Sequence, residues 1–405
     1  MLVVLQILLL ATIGFLVFYL FMLSVLATFA RVPIALEVAR TRQFAIIVPA
    51  HNEESTIGPT IQSILALDYA REKFDVVVIA DNCTDMTAKV ARDSGANVIE
   101  RTNNELRGKG HALRWCFDIL LSDQTTYDAV VVVDADSTVS SNFLTVMSSR
   151  LERGDRVIQA ADLVRPNPGA WSSELTRLVF ILYNYARPLG RTVIGCTAGL
   201  RGNGMCFAAE VLRSYPWQAY TRTEDLEFGL YLLLHGIAVA FAPEASVLAT
   251  MPSNPKLAES QRARWERGRL PVIRQYAPAL IKNALLHGSF KSLDSFIDLV
   301  TPPLIHLVAV VFGIFLFTWG LYLAGAESMS SFAGMWTCVL VLGFLHMLIG
   351  LYASRADRFL YKALLSLPRF IAWKAMLYLK LSRRGETGEW IRTTREPSAS
   401  HDGHG

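Results

Sequence analysis

The first thirty residues, Met1 to Ala30, contain no charged side chain. A helix needs about 20 apolar residues to cross the hydrocarbon core of a bilayer, so this stretch is long enough even when tilted. It lacks the basic start of a cleaved signal peptide and its apolar run is too long for one, so it reads as a retained anchor. Arg31, Arg40 and Arg42 follow. By the positive-inside rule they predict that the next segment is cytoplasmic. Two more spans are expected, from about Leu304 to Ala324 and from about Met335 to Ala353, joined by a short loop around Glu327. That hairpin returns the chain to the side of Arg355, Arg358 and Lys362. Phe359 to Leu381 is apolar but carries Lys362, Arg369, Lys374 and Lys380, which predicts an interfacial helix kinked at Pro368. Ser289 to Val300 is a second candidate for the interface. The expected location is the inner (plasma) membrane, multi-pass, with the bulk of the chain cytoplasmic.

The composition agrees: 52% of the 405 residues are hydrophobic and only 18% are charged. A net charge of +4 is too small for a nucleic-acid partner, and it comes from local clusters such as Arg262, Arg264, Arg267 and Arg269. Cys83, Cys116, Cys196, Cys206 and Cys338 form no C-x-x-C pair and no metal spacing, which fits a reducing compartment.

Between the anchors, short apolar runs alternate with longer amphipathic ones. Strands are expected at Phe44–Val48, Asp75–Ala80, Asn97–Glu100, Asp128–Asp134 and Arg156–Ala160. Helices are expected at Ser55–Leu67, Asp85–Ser94, Lys109–Leu121 and Ser141–Arg150, with Ser55 and Asp85 as caps. This rhythm predicts an α/β fold with a mostly parallel central sheet covered on both faces. The expected division is an anchor at 1–30, a catalytic domain at 43–270, interfacial helices at 271–303 and a transmembrane hairpin at 304–353. A membrane-associated helix at 354–384 and a cytoplasmic tail at 385–405 complete it.

Ligands of open α/β sheets sit at the carboxyl ends of the strands, and acids gather there. Asp81 closes the second strand; Asp134 and Asp136 follow the run Val130–Val133. Residues two apart on an extended chain share a side, so this pair can face one ligand. A hard divalent cation, Mg²⁺ or Mn²⁺, would relieve their repulsion; the plainer alternative is two acids capping the Ser137-Thr138 turn. Asp81 can accept hydrogen bonds from a nucleotide base or ribose, and Glu53 can reach a uridine hydroxyl. His51 is read as a packing residue. In Arg107-Gly108-Lys109-Gly110-His111, two glycines let backbone amides approach a phosphate while Lys109 adds charge. Gly199 to Gly204 fits no dinucleotide fingerprint and reads as a flexible acceptor-side loop.

Thr223-Glu224-Asp225 opens an apolar helix. Asp225 is either part of a dipole-favoured acidic first turn or a general base for an acceptor hydroxyl. Gln261, Arg264 and Trp265 share one helix face at i, i+3 and i+4, where Arg264 can hold a diphosphate and Trp265 can stack on a sugar. Set against this is a solvated basic helix at an anionic membrane surface.

Together the segments V-P-A-H-N-E-E, A-D-N-C-T-D, R-G-K-G-H-A-L, D-A-D, T-E-D-L-E and Q-R-A-R-W resemble the family 2 glycosyltransferases. The likeness is greatest to the membrane-integrated synthases of cellulose, chitin, hyaluronan and poly-N-acetylglucosamine. The resemblance spans about Phe44 to Leu270 and the flanking apolar segments. It implies a GT-A fold, a UDP-sugar donor, Mg²⁺ or Mn²⁺, and inversion at the anomeric carbon. It further implies that Asp81 contacts uridine, Asp134 the donor diphosphate region and Asp136 the metal. Asp225 would be the catalytic base, and Gln261, Arg264 and Trp265 would clasp diphosphate and acceptor. The acceptor would be a growing polysaccharide, as in exopolysaccharide synthesis, or a lipid-linked glycan. Three spans are few for a polymer channel, so a partner subunit or a second copy would be needed to complete one. One alternative is a non-processive transferase adding one sugar to a polyprenyl-linked acceptor. Another is an export component with a non-catalytic sugar-nucleotide domain, for which His306 and His346 inside apolar spans are the pointers. Those histidines are expected to hydrogen-bond within the hairpin. The tail Gly388–Arg395 is a candidate gate.

Overall fold

The computed structural model describes residues 1–32, 42–122, 127–166, 171–250 and 255–366, apart from the side chains of 171–173, 255–267 and 366. The chain forms two compact units. Among the described residues, one comprises 32–165 and 198–276; the other comprises 1–31, 166–197 and 277–366.

The first unit is built on eight strands: β1 (Phe44–Ala50), β2 (Phe74–Asp81), β3 (Asn97–Arg101), β4 (Ala129–Val132), β5 (Ser137–Val139), β6 (Val157–Val164), β7 (Met205–Ala208) and β8 (Ala240–Ala249). They form one sheet in the order β3-β2-β1-β4-β7-β6-β8-β5. The expected parallel arrangement holds from β3 to β4. There the strands read as continuous apolar runs because helices cover both faces, and Phe44, Ile46, Ile47 and Val48 are all buried. Beyond β4 the sheet is mixed, since β7 runs antiparallel to both β4 and β6. The helix Ile57–Leu65 shows how the cover is made: Ile57, Ile61 and Ile64 fall on one face and are buried. Its N-cap is Thr56, not Ser55. Asp85 works two residues ahead of the helix Thr87–Asp93, whose N-cap position is Met86, accepting from the Thr87 N–H at 3.0 Å.

The second unit holds three helices long and apolar enough to cross a membrane: Leu2–Ala27, Leu304–Leu323 and Glu327–Ala353. Two findings correct the expected boundaries. The helices Trp171–Ile181 and Arg187–Val193 lie in sequence between β6 and β7 yet belong to this unit and not to the sheet. A single helix, Pro255–His287, runs through the boundary placed at residue 270. His346 bonds Ser24 of the first apolar helix, Nδ1 to Oγ at 2.7 Å, instead of a partner in the hairpin. The helix Phe290–Val300 is turned inside out. Ser292, Asp294, Ser295 and Asp298 are buried, while Phe290 and Leu293 are exposed. The kink at Pro368, most of the segment Phe359–Leu381 and the tail Gly388–Arg395 lie outside the described residues.

Candidate active site

The site grows from strand ends. Asp81, the last residue of β2, is buried, and its Oδ1 accepts from Arg101 Nη1 at 2.5 Å and from Asn82 Nδ2 at 3.1 Å. Arg101 closes the neighbouring β3, so the parallel register places cation beside anion. Sequence reasoning missed Arg101, although a basic residue ending the adjacent strand was a usable signal. His51 donates from Nδ1 to the Asp81 carbonyl at 2.7 Å, in keeping with a packing role. Glu53 Oε2 accepts from Thr56 Oγ1 at 2.8 Å at the start of the first helix.

A second group forms where β4 meets β7. Asp134 is the second residue after β4, and its Oδ1 accepts from Lys109 Nζ at 2.5 Å. Lys109 also donates to the Gly202 carbonyl at 2.6 Å and lies 3.8 Å from Glu224 Oε1. Burial pulls the lysine pKa down, but Asp134 and then Glu224 outweigh it and hold the ammonium above its ordinary range. Lys109 thus gathers carboxylates in this structure, where the sequence suggested a hand on phosphate. Gly110 has a packing reason as well: a Cβ there would lie 2.2 Å from the Ala219 carbonyl oxygen.

Asp225 sits in the first turn of the helix Glu224–Leu234, with Gly202 packed on it; a Cβ on Gly202 would approach Asp225 Oδ2 to 3.3 Å. Burial raises the Asp225 pKa and takes Glu224 up to about 7. A carboxylate so raised is a stronger proton acceptor, as a general base requires. Asp162, on β6, was not singled out from the sequence. Burial, then the charges of Asp134, Asp136 and Asp225, push its carboxyl well above the usual range.

The loop Gly199–Gly204 is not flexible in the way its composition implied. The Arg201 N–H donates to Gln159 Oε1 at 2.8 Å, Gln159 Nε2 donates to the Asn203 carbonyl at 2.7 Å, and the Gly204 N–H donates to the Val132 carbonyl at 2.9 Å. Gln261, Arg264 and Trp265 lie on the helix Pro255–His287, outside the described side chains. Farther along that helix the Gly268 carbonyl accepts from Thr223 Oγ1 at 3.1 Å, directly before Glu224 and Asp225.

The donor chemistry fits a hard divalent cation. Carboxylates predominate among the described side chains here, and Asp134, Asp136 and Asp225 are close enough to Asp162 for their charges to oppose its ionisation. Among the described residues no three or more His, Cys, Asp or Glu side chains form a ready cage. Mg²⁺ is commonly held by one or two carboxylates plus substrate phosphates, so a cage is not required.

The model of the family Glycosyltransferase like family 2 matches residues 41–268. The chain is similar to a beta-monoglucosyldiacylglycerol synthase of Nostoc sp., 26% identical over 66% of this chain and 57% of that protein. It is also similar to a poly-beta-1,6-N-acetyl-D-glucosamine synthase of Staphylococcus aureus, 26% identical over 55% of this chain and 53% of that protein. It therefore spans little more than half the length of these relatives. In fold it is similar to the mannosyltransferase of Pyrobaculum calidifontis solved with GDP-Man and Mn²⁺. That match has a TM-score of 0.51 and 18% identity, covering 84% of this chain and 96% of the other.

Proposed function

This chain belongs to the glycosyltransferase like family 2, and from that premise we propose that it moves a sugar, with inversion, from a UDP-sugar to a growing polysaccharide or lipid-linked glycan at the cytoplasmic face of the inner membrane. The observation that carries this reading is the gathering of Asp134, Asp136 and Asp225 near Asp162, with Lys109 bonded to Asp134, beside the interior strands β4, β7 and β6.

In this reading Asp81, fixed by Arg101, receives the uridine on Oδ2, and Glu53 reaches the same nucleoside. The Asp134 region takes the diphosphate. Asp136 is the carboxylate that would hold Mg²⁺ or Mn²⁺, whose charge would stabilise the departing nucleoside diphosphate. Asp225 removes the proton of the acceptor hydroxyl as that oxygen bonds to C1 and the C1–diphosphate bond breaks. One displacement turns an α-linked donor into a β-linked product. Lys109 keeps Glu224 and Asp134 from repelling Asp225 out of place. Gln261, Arg264 and Trp265 are the proposed clasp on diphosphate and acceptor.

The three candidate spans among the described residues favour a second reading, addition of a single sugar to an acceptor carried by a lipid. One experiment tests both: nucleoside diphosphate release by the purified chain in nanodiscs across UDP- and GDP-sugars, with Mn²⁺ or Mg²⁺, and products sized. Metal-dependent release from a UDP-sugar is expected. A ladder of products supports the polymer and a single added sugar supports the second reading. No release from any donor, with membrane lipid and oligosaccharide acceptors supplied, would sink the proposal.

A further inference from the structure

Asn203 is buried and has no place in the roles above, yet its side-chain amide makes three hydrogen bonds within the site. Its Oδ1 accepts from the Asp134 N–H at 3.0 Å, while its Nδ2 donates to Ser137 Oγ at 2.9 Å and to Asp162 Oδ1 at 3.4 Å. Asp134 and Ser137 are the two ends of the turn that carries Asp136, and that turn is closed by the Ser137 N–H on the Asp134 carbonyl at 3.2 Å. The amide therefore grips the turn at both ends. It is a group that can accept from a backbone N–H and donate twice in one plane; a carboxylate or an alkyl group can do only part of this.

The backbone around Asn203 is equally fixed. Gly202 and Gly204 have φ of +83° and +67°, a left-handed conformation that favours glycine. A Cβ on Gly204 would lie 3.1 Å from Val247 Cγ1 and 3.2 Å from Ala160 Cβ, so the loop lies flat on β6 and β8. Next to it, the Gly202 carbonyl binds Lys109 and the Gly202 Cα abuts Asp225. One short loop thus touches the D-A-D turn on one side and the proposed base on the other.

We propose that Asn203 is a positioning residue: it presets the Asp134–Ser137 turn in the geometry that receives the donor diphosphate with its cation, and it keeps that turn in register with Asp225. This rests on the functional reading above. Asn203 acts through the turn and need not touch substrate.

The test is calorimetric binding of UDP to the full chain in nanodiscs, with and without Mn²⁺, alongside nucleoside diphosphate release. Asn203→Ala removes the hydrogen bonds to both ends of the turn and is expected to weaken Mn²⁺-dependent UDP binding about tenfold. Asn203→Asp keeps the acceptor but loses the donors, and should not rescue. Ser137→Ala, at a fully buried position, removes one end and should weaken binding about threefold. The double variant should bind no worse than Asn203→Ala within about twofold, because both changes act through one turn. Unchanged Mn²⁺-dependent binding in a folded Asn203→Ala, or losses that multiply in the double variant, would overturn the inference. If Asn203→Ala does not fold, Ser137→Ala decides alone, and wild-type binding in it overturns the inference. A wild-type chain that binds no UDP overturns the functional reading and this inference together, whereas normal wild-type binding with indifferent variants overturns this one only.

Discussion

Two clusters of buried charge, one in each unit, differ in a way that separates support from chemistry. In the membrane-helix unit Arg191 donates from Nε to Asp294 at 2.7 Å and from Nη1 to Asp298 at 3.0 Å, and Arg187 donates to Asp298 at 3.0 Å. Ser295 and Tyr19 complete the set, the tyrosine donating to Asp294 at 2.8 Å. Two cations meet two anions with every partner satisfied. Beside the interior strands β4, β7 and β6, Asp134, Asp162, Glu224 and Asp225 surround Lys109, Asp136 lies near Asp162, and Arg201 acts on Asp225. There the acids outnumber the cations, and burial drives up the carboxyl groups of Asp162, Glu224 and Asp225. A balanced network fixes helices, while the unbalanced one lies where the proposed function puts the donor diphosphate and its cation.

The largest test of this contrast is Asp225→Asn. The amide fills the same space but cannot take a proton, so transfer should fall about 10²–10⁴-fold. UDP binding should change little; an active Asp225→Asn would break the assignment of the base. Next comes Arg191→Ala, which leaves buried Asp294 without its cation and Asp298 with Arg187 alone, and should cost about 3–5 kcal/mol in unfolding free energy. Donor selectivity should stay as it was, measured on the fraction that remains folded at low temperature. If Arg191→Ala were instead neutral in thermal unfolding, the structural reading of that network would fail.

Glycine pairs sharpen the comparison at smaller scale. A Cβ on Gly190 would lie 2.1 Å from the Leu23 carbonyl oxygen, and one on Gly110 would lie 2.2 Å from that of Ala219. Either alanine should cost about 1–3 kcal/mol of stability. Only Gly110→Ala should also slow transfer at equal folding, because its clash pushes on the segment leading to Thr223-Glu224-Asp225. Equal catalytic loss in both would erase the distinction.

The smallest expected effect is on pH. Glu224 is raised from the ordinary 4.5 to about 7, by burial first, so the folded chain binds its proton more tightly than the unfolded chain does. That contribution to stability is complete below pH 4.5 and is lost as pH rises through about 7. Unfolding midpoints of the wild type should therefore drop across this window relative to Glu224→Gln. Parallel curves for the two proteins would contradict the raised value.

Much of the catalytic half was legible because parallel α/β sheets put function at strand ends. Asp81 after Val76–Ala80 and Asp134 after Val130–Val133 stand out as acids ending buried apolar runs. The third acid motif, Glu224-Asp225, was visible as the start of an apolar helix. Asp162 and Asn203 were not visible, since each matters only through a neighbour remote in sequence, whereas Arg101, ending the strand beside Asp81, had a signal that was passed over. Gly199 to Gly204 was misread for the same reason: glycine and asparagine suggest freedom until the hydrogen bonds from Gln159 and to Val132 are known.

The membrane half shows the converse. The three apolar helices were evident from the lack of charge, a one-dimensional property that lipid imposes directly. Residues 166–197 read as part of the catalytic stretch, because Arg187 and Arg191 look like surface residues until Asp294 and Asp298 are brought to them. The sequence by itself determined the family, the apolar spans and the strand-end acids, each of which is set by local pattern and order along the chain. Only the tertiary structure decided which acid meets which cation, because a charge pair forms by distance in space, and the order β4-β7-β6 places Asp134, Asn203 and Asp162 side by side from three separate parts of the chain.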